Sequence, residues 1–126
     1  MDLGISGKRA LVCASSKGLG YGCAAALAEA GVHLTICARN EAQLKSSADN
    51  LKKICNSVEF IVCDITTADG VKKVLNACPQ PDILVNNAGG PPPGSWETWK
   101  REDFLNAIQS NMLTPVELIQ KVLPFM

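Results

Sequence analysis

The stretch "CASSKGLG", Cys13 to Gly20, puts two glycines, two serines and a lysine between an apolar run and an alanine-rich one. That is where a strand would hand over to a helix. The first amides of a helix have no partner within it and sit at the positive end of its dipole, so they can hold a phosphate group. Gly18 and Gly20 remove side chains where an anion, or the preceding strand, must come close. Ser15 and Ser16 offer hydroxyl donors and Lys17 a cation. Further polar residues follow later apolar runs: Arg39 and Asn40 in "CARN", Asp64 in "VCDI", and Asn86 to Gly89 in "NNAG". An arginine after the second strand suits a 2′-phosphate, gripped in bidentate fashion, where an acidic residue would hold ribose hydroxyls. Lys17 can converge on the same group, and the two cations together favour NADP over NAD. Asp64 can accept from an adenine amino group or cap a turn with Thr66 and Thr67. The asparagines of "NNAG" can bond backbone or cofactor, or simply form a turn.

The elements that must position these residues alternate. "KRALVC" (8–13), "VHLTICA" (32–38), "VEFIVC" (58–63) and "DILVN" (82–86) read as strands. Between them, helices are expected over 18–30, with Gly31 as the stop, over 41–55, with Leu44, Ala48, Leu51 and Ile54 or Cys55 inward, and from a Thr67 cap to about 77. A last helix is expected from about 102 to the C-terminus. Strand–helix alternation with nearly continuous apolar strands predicts a parallel sheet covered on both faces. We therefore expect a single α/β domain over residues 1–126: a Rossmann-type doubly wound sheet with strand order 3-2-1-4. Its ligand should lie beyond the carboxyl ends of the strands. A P-loop is excluded, because G-x-x-x-x-G-K-[ST] is absent; on the glycine turn alone a methyltransferase fold stays open.

Bulk properties narrow the class. The 126 residues suffice for one core, with 47% apolar and 19% charged side chains. Twelve basic and twelve acidic residues give zero net charge, which argues against a nucleic-acid partner. No apolar run reaches the roughly 18 residues of a membrane span, and the first residues lack a signal pattern, so a cytoplasmic protein without a membrane partner is expected. Six cysteines fall mostly within apolar patterns, none spaced C-x-x-C, and His33 is the only histidine. We expect no metal site and free thiols acting as small apolar residues.

Taken together, "CASSKGLG", Asp64, "NNAG" and Asn111 resemble the short-chain dehydrogenase/reductase family, and most closely the flavour of 3-oxoacyl-acyl-carrier-protein reductases and related NADP-dependent reductases. The resemblance covers nearly the whole chain and implies a cofactor, NADP ahead of NAD, and a small carbonyl or alcohol substrate. It implies cofactor binding by the turn residues Ala14, Ser15, Ser16, Lys17, Gly18, Leu19 and Gly20, by Arg39 and Asn40, by Asp64 and Ile65 beside the adenine, and by Asn87, Ala88 and Gly89 along the central groove. One departure is visible. The family's turn begins T-G, where this chain has Cys13 and Ala14, so Ala14 must take a negative φ or bear strain.

Asn111 resembles the family's asparagine that holds a water in the proton relay, and it is the one catalytic residue the resemblance assigns here. Pro115 leaves the Asn111 carbonyl without its helical partner, which predicts a kink open to water. The family's serine, tyrosine and lysine would fall beyond Met126. The single tyrosine, Tyr21, is followed four residues on by Ala25 and is not their counterpart. The expectation is thus the cofactor-binding part of a hydride-transferring oxidoreductase, cut before its catalytic segment and inactive alone, and a homo-oligomer when full length. A dinucleotide-binding module without catalysis is the alternative. Phe104, Ile108, Met112 and Val116 would suit a second subunit or the core. Trp96 and Trp99 would anchor the proline-rich loop or line a pocket.

Overall fold

Branched and apolar side chains dominate four short runs, and each forms a strand: β1 (Arg9–Val12), β2 (His33–Ala38), β3 (Val58–Val62) and β4 (Ile83–Val85). The computed structural model describes residues 1–126. All neighbouring strands are parallel, in the order β3-β2-β1-β4, as the alternation predicts. Val12 lies opposite Ile36 on one side and Val85 on the other, so β1 is the centre of the sheet.

Alternate residues of β1 feed two cores, because successive side chains point to opposite faces. Ala10 and Val12 pack with Ile36, Leu34 and the buried faces of α1 (Gly18–Glu29) and α2 (Glu41–Leu51). Leu11 and Cys13 pack on the other face with Cys37, Cys63, Val71 and Val74 of α3 (Ala68–Ala77), and Leu118. Small residues at Ala24 and Ala28 let α1 sit close to the sheet. α2 stops at Leu51, short of the expected Cys55. The chain tightens there into three-residue turns, with Lys53 N–H donating to the Asn50 carbonyl and Ile54 N–H to that of Leu51. Ile54 is left 44% exposed, and Cys55 alone reaches the edge of the core.

After β4 comes a loop with a short 3-10 turn, Trp96–Thr98, and then α4 (Arg101–Ile108), a π-helical segment, Gln109–Leu113, and α5 (Thr114–Val122). The expected kink at Pro115 is thus a change of helical register. Pro115 has no N–H to donate, and just before it Thr114 N–H donates to the carbonyl of Gln109, five residues back. The buried Thr114 hydroxyl donates to the same carbonyl at 2.9 Å. Leu118 packs in the second core and Val122 is buried, whereas Phe104, Ile108, Met112 and Val116 are all exposed and form no part of the core. The helix is apolar on two sides, so periodicity did not choose between them. No helix is long and apolar enough to cross a membrane. All six cysteines are free; Cys13, Cys37, Cys63 and Cys78 are buried, while Cys23 is exposed on α1.

Candidate functional site

The turn from β1 into α1 is fastened from three directions. Asn87, beyond β4, donates its Nδ2 to the Ala14 carbonyl at 3.1 Å. Ser15 is fully buried; its hydroxyl donates to the Val12 carbonyl at 2.8 Å and accepts from Cys37 N–H at 3.3 Å. The Ser16 carbonyl accepts from the Ser47 hydroxyl of α2 at 2.7 Å. Ala14 takes the strained alternative, with φ at +47°. A left-handed conformation costs a residue with a Cβ about 1–2 kcal/mol, and these bonds hold it.

Gly20 explains the closeness of the packing. A Cβ there would run into the Ala14 carbonyl oxygen and lie 2.8 Å from Asn87 Nδ2. The start of α1 is thereby drawn onto the turn with its donors open. Its cap position, Lys17, is extended and makes no side-chain cap bond, and the first turn carries no acidic residue. The amides of Gly18, Leu19 and Gly20 find no partner within the chain.

A cleft of about 800 Å³ opens over these amides at the carboxyl ends of the strands. Lys17 and Arg39 line it, and neither forms an ion pair; the three that exist join Lys8 to Asp82, Lys73 to Asp69 and Lys121 to Glu117. Asp64 is the only carboxylate in the lining. Its Oδ1 accepts from the Thr66 hydroxyl at 2.7 Å and from Thr66 N–H at 2.9 Å. These bonds, the hydroxyl first, hold the carboxyl below its usual range against the opposing effect of burial, with Arg39 adding to them. Two cations against one carboxylate, above unpaired amides, make a receptor for a multiply charged anion.

Of the residues expected from sequence, Ala14, Ser16, Lys17, Gly18, Leu19, Arg39, Asn40, Asp64, Ile65, Asn87, Ala88 and Gly89 all line this one cleft. Ser15 and Gly20 do not. They form the base of the turn, and the Ser15 hydroxyl is already engaged, so it is not the open donor that its residue type suggested. Asn40 Oδ1 accepts from Gln43 N–H at 2.9 Å and so caps α2. Asn111 lies in the π-helical segment outside the lining; its Nδ2 donates to the carbonyls of Gly89 at 3.4 Å and Ala107 at 3.2 Å. Trp99 packs edge to face on Phe104, ring centres 5.8 Å apart, and Trp96 is 68% exposed; neither reaches the cleft.

Several lining residues were not singled out from sequence: Gln43, Asn106, Gln109 and Ser110, with Cys37 and Cys63, while Thr66 was read only as a turn partner of Asp64. Asn106, Gln109 and Ser110 do carry a signal, three polar residues at helical spacing between apolar ones. The thiols sit at the ends of neighbouring strands. The Cys13 thiol and burial push Cys37 up to about 12, and the Cys37 thiol and burial raise Cys63 as well, so both stay protonated and act as apolar filler. No cluster of histidine, cysteine or carboxylate side chains is placed to hold a metal ion.

Comparison with known proteins decides the family. The family model for short chain dehydrogenases matches residues 8–126. The chain belongs to the short-chain dehydrogenase family. Among similar proteins, L-xylulose reductase of Mesocricetus auratus is 38% identical over 88 residues, covering 70% of this chain and 34% of the relative. The L-sorbose reductase of Gluconobacter frateurii, solved with NADPH and L-sorbose, superposes with a TM-score of 0.92 at 31% identity, over 100% of this chain and 50% of that one. Pseudomonas aeruginosa RhlG in an NADP active-site complex gives 0.85 at 30% identity, over 96% and 48%. The chain therefore spans a third to a half of the length of these relatives.

Proposed function

We propose that the cleft binds NADP(H) and that the whole protein is an NADP-dependent oxidoreductase acting on a small carbonyl or alcohol. The carrying observation is the uncapped start of α1 beneath two cations that have no partner in the chain. In this reading the amides of Gly18 to Gly20 take the diphosphate, Lys17 and Arg39 take the 2′-phosphate, and Asp64 and Ile65 flank the adenine. Asn87, Ala88 and Gly89 line the groove that leads to the reacting end. When bound, the cofactor supplies or accepts the hydride. The chain's own part is to bind and orient. Asn87 keeps the glycine turn in its strained form through the Ala14 carbonyl, and Asn111, tied to the Gly89 carbonyl, holds the water of a proton relay. L-xylulose and L-sorbose, the substrates in the names of two relatives, make a small polyhydroxy ketone a fitting substrate; a 3-oxoacyl thioester is the other class we carry. The same reading makes the protein a cytoplasmic homo-oligomer.

Cofactor titration of the intact protein tests this. NADPH should bind at least about tenfold more tightly than NADH, and Arg39→Asp should cost NADPH about ten- to a hundredfold while leaving NADH within about threefold. Equal affinities in the unsubstituted protein, or an unchanged preference in the variant, would refute the assignment.

A further inference from the structure

The π-helical segment is bonded to the rest of the cleft lining at two points, Asn111 to the Gly89 carbonyl and Gln109 to the wall that carries Asp64. Gln109 Nε2 donates to the Thr66 carbonyl at 3.3 Å, bridging 43 positions of sequence. Thr66 in turn donates its N–H and its hydroxyl to Asp64 Oδ1. All three residues line the cleft. The main chain of Gln109 is itself held, because its carbonyl accepts from both the N–H and the hydroxyl of Thr114, and Thr114 is buried. A continuous chain of bonds thus runs from the core through Gln109 and Thr66 to the only carboxylate in the cleft. Both bonds from Thr66 end on the same carboxylate oxygen, which leaves Oδ2 for a donor from outside the chain.

We propose that Gln109 is a positioning residue for base recognition: through Thr66 it orients the Asp64 carboxylate to accept from the exocyclic amino group of a purine. This rests on the dinucleotide reading of the cleft. Without the bridge, the 64–67 turn keeps its internal bonds but loses its tie to the helix, and Asp64 no longer meets the base in a fixed direction. The consequence is a loss of discrimination rather than a loss of fold, since Gln109 is exposed and its side chain fills no part of the core.

The test compares NADPH with its reduced hypoxanthine analogue, in which an oxygen replaces the amino group, by equilibrium binding to the intact protein. The unsubstituted protein should prefer NADPH by about tenfold, the scale of one hydrogen bond to a charged group. Gln109→Met, similar in length but without a donor, should bring that preference to about threefold or less by weakening NADPH alone, with the melting temperature unchanged. Thr114→Val, which removes one of the two bonds to the Gln109 carbonyl, should move the preference in the same direction by less. If Gln109→Met weakens both ligands equally, or leaves the ratio as it was, the positioning role is wrong while the dinucleotide site stands. If the unsubstituted protein binds neither ligand, the dinucleotide reading falls and this inference with it.

Discussion

Three helices of this protein, α1, α2 and α3, begin at the same end of the sheet and follow strands in the same way, yet their first turns are treated differently. α2 is capped by Asn40 and opens with Glu41. α3 is capped by Thr67 and carries Asp69 in its first turn. In each, the chain satisfies a free amide and sets a negative charge against the helix dipole, worth about 1 kcal/mol for the cap and a few tenths to 1 for the charge. α1 has neither. It is preceded by a strained alanine, held to its turn by a glycine that admits no side chain, and flanked by unpaired Lys17 and Arg39. Helix starts that only need to be stable are closed with the chain's own groups. The one left open, at a local cost in stability, is the start that the proposed function completes with a group from outside.

The contrast can be broken most severely at Gly20. Gly20→Val drives side-chain carbons into the Ala14 carbonyl and Asn87, and should cost about 1–3 kcal/mol in chemical denaturation and more than about tenfold in NADPH affinity. A variant that binds normally would show that α1 need not approach the turn. The matching change at a closed start is Thr67→Ala. It should lower stability by about 1 kcal/mol, read from the denaturation midpoint, and leave NADPH affinity within about threefold; a large loss of binding would erase the distinction between the two kinds of helix start. The mildest change sharpens the comparison. Ala14→Gly relieves the left-handed strain but frees the unfolded chain, so a net gain of up to about 1 kcal/mol is expected with binding preserved. A clear loss of stability would mean that the strain at Ala14 is smaller than the freedom glycine gives the unfolded chain.

Much of this arrangement is written locally. Short apolar runs mark the strands, three of them starting just after a glycine or proline, the amphipathic period from Glu41 marks α2 although it overruns the helix to Cys55, and Thr67 announces its cap two residues before an acidic side chain. The positions of the cleft residues follow once the strands are parallel, because every strand then delivers its carboxyl end to the same side. The failures are equally specific. Ser15 and Ser16 are identical in type, yet the first is spent on the Val12 carbonyl and Cys37 N–H and the second lines the cleft. Asn40 does line the cleft as expected, but its cap on α2 was not foreseen. The helical spacing of Gln109 with Asn106 and Ser110 hints at a polar face but not at the bond to Thr66, since that partner lies 43 positions away.

By itself, then, the order of residues determined the four strands, the three helices between them and the sheet order, because periodicity, stops and the right-handed crossover are properties of short segments and of chain geometry. Only the tertiary structure decided which polar groups remain unpaired. A hydrogen bond is an exchange between two partners, and whether Ser15, Asn40 or Gln109 is free for a ligand depends on groups that folding brings near from elsewhere in the chain. The same holds for the last helix, whose two apolar faces are equivalent until packing buries Leu118 and Val122 and leaves the other face exposed.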